Sequence, residues 1–465
     1  MRQPSNDFPK TAPTSTHAVE FSGDGRGTYP LTWSQKWLWR GIALTAPDIE
    51  RMNMGRVIPV PPGLSSRAAL DAVAILMSRH ATLRTRFHAD ENSVPHQAVV
   101  SRGELLVEAY EAAGEKCGDV ARAVLARTCA APFTAPEFSA RFALVMDGGK
   151  PAMIILCVFH MATDAWGMRI IVDDLRSVME AHCARDASSL PDRPTQLLER
   201  LDFEQSLQGA KRSEQAIAYW EEQISLFPRQ ACPPPLHKPD VLAFRDLHME
   251  SAALSMGCRT LAQTLRVGVG AVFIGLAAVL LSAETANPGA GFLVFSHNRH
   301  GSKWSGLSGP LIQNFPLYVH VAGRELPEIV RAIDETSVLG SFRGQYDPDH
   351  LGPALAKSTD ATGFAPDLSC AVNVKLGREP GPQASESRTT PAVPFQDARS
   401  LSAVSRVSEG AGVHREDMNF YLSVDCRPSR TEVLLRANTA MFQIARMRSF
   451  LADLEEEAVR TLAQI

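Results

Sequence analysis

The chain has 465 residues, with 47 Lys plus Arg against 51 Asp plus Glu and a formal net charge of −4. A hydrophobic fraction of 45% and a charged fraction of 21% exclude a mostly disordered chain, a collagen-like repeat and a multi-span membrane protein. The near balance of charge leaves no electrostatic footprint for non-specific nucleic-acid binding.

The length corresponds to about two to four domains, most simply two. Residues 1–28 are rich in Pro, Ser, Thr and Gly and lack the apolar run of a secretory signal, which predicts a flexible tail. Of the 8 cysteines, no two form a CxxC pair, and Cys157 sits in the apolar run AMIILCVF. Neither a zinc ribbon nor a dithiol redox site is indicated, and the pattern predicts a reduced, cytoplasmic protein.

Residues 66–80, SRAALDAVAILMSRH, place Leu70, Val73, Ala74 and Met77 at helical spacing. Leu83, Thr85 and Phe87 then alternate as in a strand. Residues 115–130 read as a helix. Two apolar runs joined by Asp147-Gly148-Gly149 predict a hairpin. Residues 168–183 return to helical spacing, and the polar, Pro-containing stretch 187–196 reads as a linker. This gives an N-terminal half over 29–186 and a C-terminal half over 197–465.

The second half opens with a helical run, 197–226, and a strand follows over 241–254. One helix is expected over 257–283. Its residues 267–283 carry no charge and would reach roughly 25 Å as a helix, short of the about 30 Å of a bilayer core. A helix buried inside a domain is the better reading. Strands are expected at 291–296, 314–321, 368–376, 419–428 and at EVLLRANT, with helices at 326–342 and 443–463. Residues 377–412, rich in Pro, Gly, Ser and Thr, read as a surface excursion. Strands and helices mix without regular βα alternation, which predicts an α+β fold in each half.

Several signatures are absent from the sequence: the GxSxG elbow, the GxxxxGK[ST] phosphate loop and HExxH. His297 and His300 form an HxxH without an accompanying carboxylate or cysteine cluster, so no metal site is expected. The informative string is FHMATDAWG, 159–167. A strand delivers His160 to its end, Asp164 sits in a short turn, and a helix starts near Gly167. Histidine can accept and return a proton near neutrality. A helix start presents free N–H groups that could stabilise an oxyanion. A helix-capping Asp beside a packed His fits the same spacing.

FHMATDAWG resembles the HHxxxDGW signature of condensation domains of nonribosomal peptide synthetases. LTWSQKWLW (31–39), SRHATLRTRF (78–87), AYWEEQI (218–224) and FSHNRHGSKWSGLSGPLIQNFPLYV (295–319) resemble further motifs of that family, in the same order. The resemblance spans roughly residues 29–463. It implies two chloramphenicol-acetyltransferase-like halves in a V, crossed by a central tunnel.

By that resemblance, His160 matches the catalytic histidine. It would deprotonate the nucleophile, or orient it and hold the tetrahedral intermediate. Asp164 matches the structural aspartate, with Arg299 as its partner. Gly167 is the candidate backbone donor to the oxyanion. Trp166, Asn314 and Phe159 are candidates to line the tunnel, and Arg79, His80 and Arg84 are read as structural. Two positions depart from the signature: Phe159 replaces its first histidine and Ala165 its glycine.

Neither a carrier-protein serine motif nor an adenylation signature occurs in the sequence. The resemblance therefore implies a free-standing acyltransferase. It would take its acyl group from the phosphopantetheine arm of an acyl or peptidyl carrier protein in trans, binding no cofactor itself. The acceptor would be a small amine or alcohol, with chain release in secondary metabolism as the context. Alternatives are a degenerate interaction domain that recruits partners to a carrier, and an acyltransferase that uses acyl-CoA.

Overall fold

A computed structural model describes residues 12–185, 190, 192–236, 238–377 and 400–464. The chain divides into two compact units, Met1–Ala210 with Arg299–Ile312, and Lys211–Asn298 with Gln313–Ile465. The expected linker over 187–196 lies partly outside the described residues. The division instead falls at Ala210, within a helix, and residues 299–312 belong to the first unit although they come late in the chain.

In chain order the first unit holds β1 (Ser15–Ser22), β2 (Gly27–Pro30), α1 (Trp33–Thr45), β3 (Asn53–Pro59), α2 (Ser66–Arg79), β4 (Thr85–Ala89), β5 (Pro95–Val99), β6 (Arg102–Glu111), α3 (Cys117–Cys129), β7 (Ala140–Asp147), β8 (Lys150–Phe159), α4 (Ala165–Ala184) and α5 (Leu197–Glu204). Helix α6 (Leu207–Ile224) carries the chain onward. Five strands form a sheet in the order β1-β6-β7-β8-β3, and β2-β5-β4 form a smaller one.

Strand β1 corrects the expected flexible tail. It pairs antiparallel with β6, from Ser15 opposite Ala109 to Ser22 opposite Arg102. Val19 and Phe21 turn into the core from alternate positions, as period-2 geometry requires. The rest of the tail call, residues 1–11, lies outside the described residues. The hairpin at Asp147 joins β7 to β8, with Gly148 (φ 56°) and Gly149 (φ 77°) both in the left-handed region that glycine adopts without strain.

Helix α2 buries Ala69, Ala72, Val73, Leu76 and Met77, one face of a 3.6-residue period, and Ser65 caps its start. A 3-10 turn over Ala81–Arg84 follows it, so β4 begins at Thr85, later than alternation suggested.

The second unit holds β9 (Phe244–Ser251), α7 (Ala252–Leu265), α8 (Val269–Thr285) and β10 (Gly289–Ser296). The short helix α9 (Ser302–Ser305) belongs to the first unit. The second unit resumes with β11 (Gln313–His320), α10 (Leu326–Phe342), α11 (Leu351–Thr362), β12 (Cys370–Leu376), β13 (Arg406–Glu409), β14 (Phe420–Cys426), β15 (Thr431–Asn438) and α12 (Ile444–Leu462). Its seven strands run β11-β10-β12-β14-β15-β9-β13. Of the expected excursion over 377–412, residues 378–399 lie outside the description, and 406–409 form an edge strand on β9.

The single helix expected over 257–283 is two helices bent by 110°. Arg266 takes a left-handed φ of 57° at the end of α7, and the Gly268 N–H is donated to Asp334 Oδ1, 2.8 Å away, before α8 starts. No single helix is long and apolar enough to cross a membrane among the described residues. Helix α8, whose only charged residue is Glu284 near its C-terminal end, is buried in the unit's core, with Val272, Phe273, Leu276, Ala277 and Ala278 at 0% exposure. It packs with α7, α10 and α12 against the sheet.

Candidate active site

Strand β8 is apolar on both faces, and its last residue, Phe159, lies opposite Asn53 of β3. The next residue, His160, leaves the ladder with its N–H donated to Met52 O at 2.9 Å. Residues 160–164 form a tight turn before α4, which begins at Ala165, two residues earlier than expected.

The turn is held from several directions within the first unit. Gln35 Nε2 donates to Met161 O at 3.2 Å, and the Thr82 hydroxyl donates to Ala162 O. Thr163 Oγ1 donates to Ser308 O at 2.8 Å. The motif around Gln35, the motif around Thr82 and the 299–312 segment therefore meet at one five-residue turn.

His160 is half-buried, and its Nδ1 lies 2.8 Å from Thr163 O. A carbonyl can only accept, so Nδ1 carries the proton in the neutral ring and Nε2 is left as the basic nitrogen. That is the protonation state a proton acceptor requires.

Asp164 caps α4. Its Oδ1 accepts the Gly167 N–H at 2.8 Å, and its Oδ2 accepts from Arg299 Nη1 (2.8 Å), Leu311 N (2.8 Å) and Ile312 N (3.2 Å). Burial alone would raise this carboxyl's pKa. The Arg299 charge and hydrogen bond, with the Gly167 and Leu311 N–H groups, outweigh burial and hold it below the usual value. Arg299 also donates from Nη2 to Gly309 O at 2.7 Å, fixing the segment that contains it.

The expectation that the Gly167 N–H faces an oxyanion is corrected. That hydrogen is already donated to Asp164. Gly167 matters instead by close approach, because a Cβ there would lie 2.0 Å from Ser308 O and 2.5 Å from Thr163 Oγ1.

Trp166 donates from Nε1 to Ser305 O at 3.0 Å, and the Arg169 guanidinium sits 4.0 Å above its ring. Phe159 is 8% exposed, stacked on Phe133 and edge-on to Phe87, with centroids 5.6 and 6.1 Å away. Asn314 belongs to the second unit, where its buried Oδ1 accepts the Tyr346 hydroxyl at 2.9 Å.

Sequence reasoning missed Thr163, Ser308 and Asp174. Their roles come from contacts across 94 to 228 positions of sequence, which spacing does not reveal. Arg79, His80 and Arg84 are built into the scaffold. Arg79 and His80 bind Asp174. Arg84 donates from Nε to Met77 O at 2.8 Å. No group of three or more His, Cys, Asp or Glu is placed to hold a metal ion among the described residues.

The condensation domain family model matches residues 25–459. The chain belongs to the condensation domain family. Phosphinothricin tripeptide synthetase PhsC of Streptomyces viridochromogenes is 27% identical over 219 residues, which cover 46% of this chain and 20% of that synthetase. The chain thus matches about a fifth of the length of this much longer relative.

Among solved structures, the SgcC5 protein of Streptomyces globisporus superposes with a TM-score of 0.70 at 17% identity, covering 94% of this chain and 99% of that one. The condensation domain of the enacyloxin polyketide synthase, described as mediating chain release, gives a TM-score of 0.71 at 16% identity, covering 94% and 83%. The mixed α/β fold of two halves is therefore that of condensation domains, enzymes that form amide or ester bonds by acyl transfer.

Proposed function

We propose that this chain transfers an acyl group from the phosphopantetheine thioester of a carrier protein to a small amine or alcohol, with His160 as the proton acceptor. The observation that carries the reading is the 2.8 Å contact from His160 Nδ1 to Thr163 O, which leaves Nε2 basic.

The nucleophile's N–H or O–H faces Nε2 and attacks the thioester carbonyl, so a C–N or C–O bond forms as the proton passes to His160. The tetrahedral intermediate then collapses, the C–S bond breaks, and the thiolate takes the proton back from the imidazolium. Holding the two reactants together supplies much of the rate in such a transfer. The enacyloxin domain's chain release supports the use of a carrier-bound donor in this fold. The SgcC5 structure, a complex with a naphthyl-substituted ethanediol, supports an alcohol acceptor.

The Phe159 departure is absorbed by packing. The ring fills an aromatic cluster with Phe87 and Phe133, while His160 keeps its own contacts. This favours a working site over a degenerate one.

The test is intact-protein mass spectrometry of acylated carrier proteins, incubated with the enzyme and a panel of amines and alcohols. The reading requires loss of the acyl mass from one carrier only when enzyme and a matching nucleophile are both present. Transfer from acyl-CoA but not from carriers would move the donor assignment to CoA. Tight carrier binding without transfer would replace catalysis with recruitment.

A further inference from the structure

The carbonyl that accepts the His160 Nδ1–H hydrogen bond belongs to a residue whose side chain is itself anchored. Thr163 Oγ1 donates to Ser308 O at 2.8 Å. The Ser308 hydroxyl lies 2.9 Å from His80 Nδ1, and His80 Nε2 lies 2.9 Å from Asp174 Oδ2 on α4. Asp174 is clamped in turn by Arg79, through Nε at 2.7 Å and Nη2 at 2.9 Å. Thr163 and His80 are 0% exposed, Ser308 4% and Asp174 7%.

We propose that Thr163, Ser308 and His80 are positioning residues for His160: a series of hydrogen bonds from Asp174 through His80 to the Ser308 side chain, and from Thr163 to the Ser308 backbone, fixes the Thr163 carbonyl that holds the histidine proton on Nδ1. The proposal rests on the reading of His160 as the proton acceptor and extends it to residues that touch no substrate.

The direction of every bond in the line follows from valence. The Asp174 carboxylate only accepts, so His80 Nε2 carries the ring proton and His80 Nδ1 accepts from the Ser308 hydroxyl. Burial lowers the His80 pKa, which disfavours the doubly protonated ring. The Ser308 carbonyl then accepts from Thr163, and the Thr163 carbonyl accepts from His160.

The packing is close where the line passes Gly167. A Cβ there would overlap both Ser308 O and Thr163 Oγ1, so the Thr163–Ser308 bond is closed off on the Gly167 side. The alternative acceptor for Thr163 Oγ1, Asp164 O, is farther away at 3.3 Å. Removing a link frees the Thr163 carbonyl to turn, and the His160 proton is then no longer confined to Nδ1.

The test is histidine-selective nitrogen-15 NMR of the full chain, which reports the tautomer of each ring without any substrate. The His160 resonances are those lost in His160→Gln. The wild type is expected to show the Nδ1–H form as the main neutral species. Thr163→Val, which keeps the shape but loses the hydroxyl, is expected to move more than half of the neutral ring to the Nε2–H form. Ser308→Ala should move it in the same direction, and Thr163→Ser should restore the wild-type pattern.

Ser308→Ala deletes a single oxygen, so it carries the comparison if Thr163→Val loses its folded spectrum. An Nε2–H wild type, or an unchanged tautomer in the folded variants, would overturn the proposal. An error in the acyl-transfer reading would appear in turnover and leave these spectra as they are, so the two failures are distinguishable.

Discussion

Arg299 Nη1 lies 2.8 Å from Asp164 Oδ2, and both side chains are buried although 135 positions of sequence separate them. The pair ties the 299–312 segment to the start of α4, immediately after the turn that carries His160. Asp164→Asn would leave a buried guanidinium without its carboxylate, a change that costs about 3–5 kcal/mol. The Asp164 pKa is depressed on folding, so its stabilising contribution is present above about pH 4, the unfolded carboxyl value, and is lost as pH falls through the lower folded value. Denaturant melts as a function of pH should show a lower plateau and a shallower acid limb in the variant.

His80 gives a second pH signature at higher pH. Its burial disfavours the charged form more than the hydrogen bond and charge of Asp174 favour it, and Arg79 adds to the lowering. A His with a depressed folded pKa contributes stability above its unfolded value of 6.5, and that contribution is lost as pH falls below it. His80→Gln should therefore remove part of the wild-type decline in stability as pH falls below about 6.5, as read by thermal melts at a series of pH values.

Gly167 and Ala165 should respond very unequally. Gly167→Ala drives a methyl group into Ser308 O, and overpacking of this kind costs about 1–3 kcal/mol or more. Ala165→Gly, at the exposed first position of α4, should cost under about 1 kcal/mol and leave turnover close to wild type. Denaturant melts of the two variants check the order.

Phe159→His restores the family's first histidine in a place built for a ring. The imidazole would displace a phenyl group from its contacts with Phe133 and Phe87 and bury a polar group among apolar neighbours. A loss of about 1–3 kcal/mol in stability with no gain in turnover is expected. A faster enzyme after this change would show that Phe159 limits catalysis.

Periodicity made much of the fold legible. The helix expected over 66–80 is Ser66–Arg79, and the uncharged run 267–283 falls on Val269–Thr285, buried as expected. Strand β1 escaped notice because its alternation is short, with Val19 and Phe21 alone buried, and its partner lies about eighty residues away at β6. The bend between α7 and α8 turns on the left-handed Arg266, a residue type that gives no warning of it.

At the site, the string FHMATDAWG marked His160 and Asp164, and a second motif, over 295–319, marked Arg299 as the aspartate's partner. The helix-capping reading of Asp164, open from the spacing, is the one its bond from the Gly167 N–H bears out. Neither string could show that Ser308 lies against His80, because that depends on where a segment about 140 residues downstream returns to the turn.

The central claim is that Nε2 of His160 takes the nucleophile's proton. Its most direct test is single-turnover acyl transfer from a matched carrier, comparing the wild type with a folded His160→Ala variant. The account predicts a fall of about a hundredfold or more in the rate of transfer, with carrier binding unchanged. A His160→Ala enzyme that transfers its acyl group at the wild-type rate would contradict it.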